Sequence, residues 1–145
     1  MSLLEETTME FFSLLSHIRD NYFRPAEQIA RLRLAPGQFH ALSILYRKGP
    51  LAMGELAAQM KISKQQLTPL ISRLIEEKMV LRKKDESDRR VVLIQLSEQG
   101  ESTFSDLKAK IKSSFQEKLG HLSSNELEEL QQMLRRARAL IESIT

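Results

Sequence analysis

Two short stretches of this chain gather side chains that could grip a polyanion. The first is Asp85-Glu86-Ser87-Asp88-Arg89-Arg90, charged throughout except for one Ser, so it cannot be core. The second opens at Lys64 and runs Lys64-Gln65-Gln66-Leu67-Thr68. Glutamine can make paired hydrogen bonds to adenine N6 and N7, and lysine can reach guanine O6 and N7. The commoner fate of any one such side chain is a phosphate or a water. Lys64, Gln65, Gln66 and Thr68 are therefore candidates for either role. Nothing comparable points to catalysis. There is no glycine-rich phosphate loop and no nucleophile–base pattern, and only five Gly in all. His17, His40 and His121 lie far apart without paired ligand spacing, so neither a metal nor a cofactor is expected.

The elements that must carry these residues can be read on either side of them. Val80-Leu81-Arg82-Lys83-Lys84 and Val91 to Leu96 read as two strands, the second apolar and β-branched as a buried strand should be. The charged loop is then a hairpin tip, and an arginine-bearing tip on a small sheet is the wing of a winged helix. Upstream, Glu55 to Met60 reads as a short helix with Leu56 and Met60 on one face, and small Ala57 and Ala58 would allow a close crossing. Lys61-Ile62 makes a turn. Ser63 with Gln66 forms a capping-box signature, and Leu67, Leu70, Ile71 and Leu74 are the buried stripe of the next helix. Two helices so tightly joined read as a helix-turn-helix, whose second helix enters the major groove. Pro69 lies inside that helix, beyond its first turn, and removes one backbone hydrogen bond. Arg73 lies off the buried face as a phosphate or base contact, with Ser72 beside it.

Both flanks are amphipathic. Leu4, Thr8, Phe11, Leu15, Ile18 and Tyr22 recur at spacings of four and three, predicting a helix of at least five turns that Pro25 either kinks or ends. Phe104, Leu107, Ile111, Phe115 and Leu119 mark a helix after the wing. Leu127, Leu130, Leu134, Ala137, Ile141 and Ile144 mark a last one, opened by Ser123 with Glu126. Stripes this long and narrow favour packing against other long helices. Phe11, Leu15, Ile18, Leu127, Leu130, Leu134 and Ile141 are the expected dimer-interface residues.

With 145 residues the chain is read as one domain, 41% hydrophobic and 28% charged. No apolar run approaches membrane-spanning length and no signal-peptide pattern opens the chain, so a cytoplasmic protein with no membrane partner is expected. Without cysteine there is neither a disulfide nor a thiol switch. Net charge is only +3, but nine basic against five acidic residues between Lys61 and Leu96 put +4 there and leave −1 for the rest. The excess falls where a nucleic acid would lie.

The order helix-turn-helix, hairpin, Asp88-x-Arg90, and Leu96-Ser97-x-x-Gly100 at the next helix start resembles the MarR family of bacterial transcription regulators, essentially end to end. Leu67-Thr68-Pro69 also resembles some members. The resemblance implies a mainly α fold (an α+β winged helix) with long N- and C-terminal dimerisation helices. The winged helix-turn-helix would occupy 36–97 and the dimerisation helices 1–34 and 98–145. It implies that Arg90 enters a minor groove, Asp88 pairs with an arginine to hold the loop, and Arg89 meets phosphate. It implies an obligate homodimer reading a pseudo-palindromic operator in double-stranded DNA. It further implies release by a small aromatic or phenolic ligand in a cleft, for which Phe12, His17, Phe39, His40 and Tyr46 are candidates, each more readily read as plain core or surface. The family often places Gly at two positive-φ turn positions that are Lys61 and Lys78 here. The expected function is a dimeric, sequence-specific DNA-binding regulator, a ligand-released repressor. The alternatives are a winged-helix dimer acting as a protein-interaction module without operator binding, and an apolar-ligand carrier or small enzyme on the same dimer.

Overall fold

Serine N-caps set three of the helix starts. Ser2, Ser63 and Ser123 each accept the backbone N–H three residues on, while Glu5, Gln66 and Glu126 return the bond to the cap N–H. The computed structural model describes residues 1–145. Its elements run α1 (Leu3–Ile18), a π-helical turn (Arg19–Phe23), α2 (Arg24–Arg31), α3 (Pro36–Lys48), β1 (Leu51–Ala52) and α4 (Met53–Met60). They continue with α5 (Lys64–Glu76), β2 (Val80–Lys84), β3 (Val92–Leu96), α6 (Glu98–Leu119) and α7 (Ser124–Glu142). The fold is thus mainly helical with one small antiparallel sheet, a winged helix. No helix is long and apolar enough to cross a membrane.

The chain forms two compact units, Met1–Ile111 and Lys112–Thr145, with the divide inside α6. In the first, the sheet order is β1-β3-β2, and Val80 to Lys84 pair with Leu96 to Val92. Leu42, Ile44, Leu56, Leu67, Ile71, Leu74, Ile94 and Leu107 are fully buried. The recognition stripe is therefore core, with Leu70 only partly buried at its edge. In the second, the end of α6 and α7 line an apolar groove with Leu119, Leu127, Leu130 and Leu134.

Three expectations change in detail. The N-terminal helix does not run unbroken to Tyr22. It ends at Ile18 and widens into the π turn, where the Arg24 N–H reaches back to the Arg19 carbonyl. Pro25 causes this, because it has no N–H for the Asn21 carbonyl and its ring would press on that carbonyl in a regular turn. Of the two alanines, Ala57 is buried but Ala58 is exposed, so only Ala57 serves the helix crossing. The second wing strand begins at Val92 rather than Val91, and only Ile94 in it is fully buried.

Lys61 and Lys78 both take the left-handed conformation, at φ 56° and 62°. Each ends its helix in the same way. The N–H groups of Lys61 and Ile62 bond to Ala58 and Ala57, and those of Lys78 and Met79 bond to Ile75 and Leu74. The following Ile62 and Met79 then tuck against the core. A lysine held there costs about 1 kcal/mol relative to glycine. Lys78→Gly should accordingly raise the unfolding free energy by about that amount, seen as a higher urea midpoint, and an unchanged or lowered midpoint would contradict it.

Candidate nucleic-acid interface

Helix α5 leaves Lys64, Gln65, Gln66, Thr68 and Arg73 exposed, and Ser72 half-buried, while Leu67, Ile71 and Leu74 anchor it from behind. The exposed residues are not equally available. Gln66 Oε1 accepts from the Ser63 N–H at 2.9 Å, so its carbonyl is committed to the cap. A bidentate contact to adenine needs both amide atoms, which favours Gln65 over Gln66. Thr68 Oγ1 donates to the Lys64 carbonyl at 2.8 Å, leaving its methyl and a lone pair outward-capable. Lys64 leans on Gly54 of α4, where an added Cβ would come within 2.9 Å of Lys64 Cε.

The wing tip is tied by its own aspartates. The Asp85 N–H donates to the Val91 carbonyl at 2.9 Å, and the Val91 N–H to the Asp88 carbonyl at 3.0 Å. Asp85 also accepts from the Ser87 hydroxyl at 3.1 Å. Asp88 takes a two-pronged grip from Arg90, with Nε at 3.1 Å on Oδ1 and Nη2 at 3.3 Å on Oδ2, and Oδ1 also accepts the Arg90 backbone N–H at 3.1 Å. The partner arginine of Asp88 is thus Arg90 and not Arg89. Arg90 nonetheless keeps 92% of its side chain exposed.

The Arg90 guanidinium, followed by its backbone N–H, holds the Asp88 carboxyl below its ordinary range. A depressed carboxylate contributes order above its unfolded value and loses it as pH falls through the folded value. Wing order is therefore expected to persist at neutral and mildly acid pH and to vanish only below the usual aspartate range. A carbon-detected NMR titration of Asp88 checks this, with Arg90→Ala returning the midpoint to an ordinary value. An ordinary midpoint in the unmodified protein would show that the grip does not exist in solution.

The wing is set on the helix layer by Leu96-Ser97-x-x-Gly100. The Ser97 hydroxyl donates to the Lys78 carbonyl and accepts the Gly100 N–H, and the Ser97 N–H bonds Met79 O at 3.0 Å. One side chain therefore caps α6 and clasps the turn that follows α5.

Two groups of residues were beyond sequence reading. Phe39 and Tyr46 meet over Phe104, with ring centroids 5.4 and 4.9 Å away, and Lys108 Nζ stands 5.2 Å from the Tyr46 ring. Phe104 and Lys108 come from α6 and carry no local sign of that meeting. Phe12, His17 and His40 are exposed and outside this cluster, with His17 Nδ1 only 3.4 Å from the Asn21 amide. The other group is Gln38 and Glu77, whose amide–carboxylate bond of 3.3 Å joins α3 to the end of α5. The expected interface residues on α1 and α7 lie on faces uncovered within their own units. Phe11, Leu15, Leu127, Leu134 and Ile141 are exposed, and Ile18 and Leu130 partly buried.

Residues 34–92, from just before α3 to the first residue of β3, match the MarR family. The HTH-type transcriptional regulator MhqR of Bacillus subtilis (strain 168) is 25% identical over 134 residues, 92% of each chain. The HTH-type transcriptional repressor MdtR of the same strain is 26% identical over 101 residues, 70% of this chain and 65% of that one. Among solved structures, a MarR family protein from Bacillus stearothermophilus superposes with a TM-score of 0.83 at 28% identity, covering 97% of this chain and 99% of the other. Helix-turn-helix, clasped wing and end-to-end likeness agree: the chain resembles the MarR family of winged-helix transcription regulators, whose family model it matches over residues 34–92.

Proposed function

We propose that the protein is a homodimeric repressor that binds a pseudo-palindromic site in double-stranded DNA and leaves it when a small aromatic or phenolic acid binds. The observation that carries the DNA reading is the pairing of two prepared elements. The wing holds Arg90 by a two-pronged aspartate grip yet leaves it exposed, and α5 exposes Lys64, Gln65 and Thr68 above a fully buried stripe. In this reading α5 lies in the major groove, Arg90 enters the minor groove, and Arg73 and Arg89 meet phosphate. The repressor named among its relatives supports the direction of regulation. The exposed apolar faces of α1 and α7 support a dimer, since single chains rarely leave such stripes to water. Tyr46, exposed beside the Lys108 ammonium and backed by the Phe104 ring, supports the ligand reading by placing an aromatic face next to a cation.

The test is a titration of genomic DNA fragments, beginning upstream of the protein's own coding sequence, at several salt concentrations. Specific binding by one dimer per site, weakening steeply with salt, is expected. Arg90→Ala should weaken it by about 1–3 kcal/mol with little change in stability. Sequence-blind binding alone would leave a protein-interaction module as the better reading.

A further inference from the structure

We propose that Glu77 is a positioning residue for Arg73, an assignment that rests on the DNA-binding reading above. Glu77 caps the C-terminus of α5, and its two carboxylate oxygens have different partners. Oε1 lies 3.6 Å from Arg73 Nε, one turn back along the helix. Oε2 accepts from Gln38 Nε2 at 3.3 Å. Gln38 is itself a fixed point. It is only 6% exposed, and its Oε1 accepts the Ala35 N–H at 2.9 Å, so the first turn of α3 sets which way its amide faces. The Glu77 backbone carbonyl also accepts from Gln99 Nε2 at 3.4 Å, tying the same corner to the first turn of α6.

An arginine–glutamate pair one turn apart on an open helix face contributes little, because two long side chains must be ordered to make it. Here one of the two is already ordered. A buried amide on another helix holds the carboxylate before Arg73 meets it, which removes much of that entropic cost. The contact uses Nε and leaves both terminal amines of an arginine that is 74% exposed. Those amines are the pair that engages a phosphate or a guanine edge in bidentate fashion. An arginine steadied in this way benefits the correctly docked complex, where geometry is fixed, more than loose binding along the backbone.

The experiment compares the unmodified protein, Arg73→Ala, Glu77→Gln and the double variant. Each is titrated against the duplex that the unmodified protein enriches from a random-sequence pool, and against a scrambled duplex of equal composition. Glu77→Gln keeps an acceptor for Gln38 while removing the charge that holds Arg73. The ratio of the two dissociation constants should fall roughly tenfold on Glu77→Gln when Arg73 is present. It should not change in the Arg73→Ala background. An equal fall in both backgrounds, or none, overturns the positioning role and leaves Glu77 as a joint between helices. If Arg73→Ala itself keeps the full ratio, Arg73 is not at the interface and the proposal fails, while the DNA-binding reading stands. Enrichment of no sequence at all would overturn that reading and this one with it.

Discussion

Gly100→Ala is expected to lower stability by about 3 kcal/mol or more, the largest effect among the glycine-to-alanine changes in this chain. A Cβ at Gly100 would stand 1.9 Å from the Met79 carbonyl oxygen and 2.8 Å from its carbon. Backbone cannot swing aside as a side-chain end can. Nor is that carbonyl free to move alone, since it accepts the Ser97 N–H at 3.0 Å while the Ser97 hydroxyl caps Gly100. Relieving the clash means prying α6 from the start of β2 and breaking both bonds. Urea denaturation followed by circular dichroism measures it, and Gly54→Ala supplies the contrast. There the obstructing atom is the flexible end of Lys64, so a midpoint equal to or above the parent is expected. Equal midpoints for the two alanine variants would rule out the close approach at Gly100.

Leu134→Glu is the second, and its effect falls on assembly. Leu134 is 55% exposed on α7 and lines the groove with Leu119, Leu127 and Leu130. In a lone chain a carboxylate at such a position is hydrated and costs little. In a dimer that covers this face it becomes a charge taken out of water into a largely leucine-lined groove, which opposes association. The variant should therefore stay helical, sediment as a monomer, and lose about 10²–10⁴ in operator affinity as the second half-site contact is lost. Sedimentation equilibrium beside a DNA titration reads both quantities. A monomer with undiminished affinity would sink the two-half-site reading, and an intact dimer would move the interface off α7.

Legibility in the sequence follows the range of the interaction. The Ser63–Gln66 box and the hairpin are local, fixed by neighbours within a few residues, and each could be read from residue type and spacing. The left-handed Lys61 and Lys78 were signalled only by the family resemblance, because a lysine carries no mark of positive φ. The π turn was half legible: Pro25 announced a disturbance, but not the form it takes. Strand β1 has only two residues, too few to carry any alternation. The Gln38–Glu77 bond and the Phe39–Tyr46–Phe104 rings join positions far apart in the chain, and no period or motif records such a meeting. The candidate DNA-facing residues were legible as types. Which of them are already engaged, as Gln66 is by its cap and Arg90 by Asp88, needed coordinates.

The order β1-β3-β2 leaves β2 at the rim of the sheet, with unpaired backbone groups along one side. Such a rim is a template on which another chain can build, and charge is one of the few deterrents available to it. Arg82, Lys83 and Lys84 stand in succession on that rim, all exposed. Their repulsion guards every copy from its neighbours at times when no nucleic acid is near. Replacing these three cations would therefore remove a safeguard against edge-to-edge aggregation.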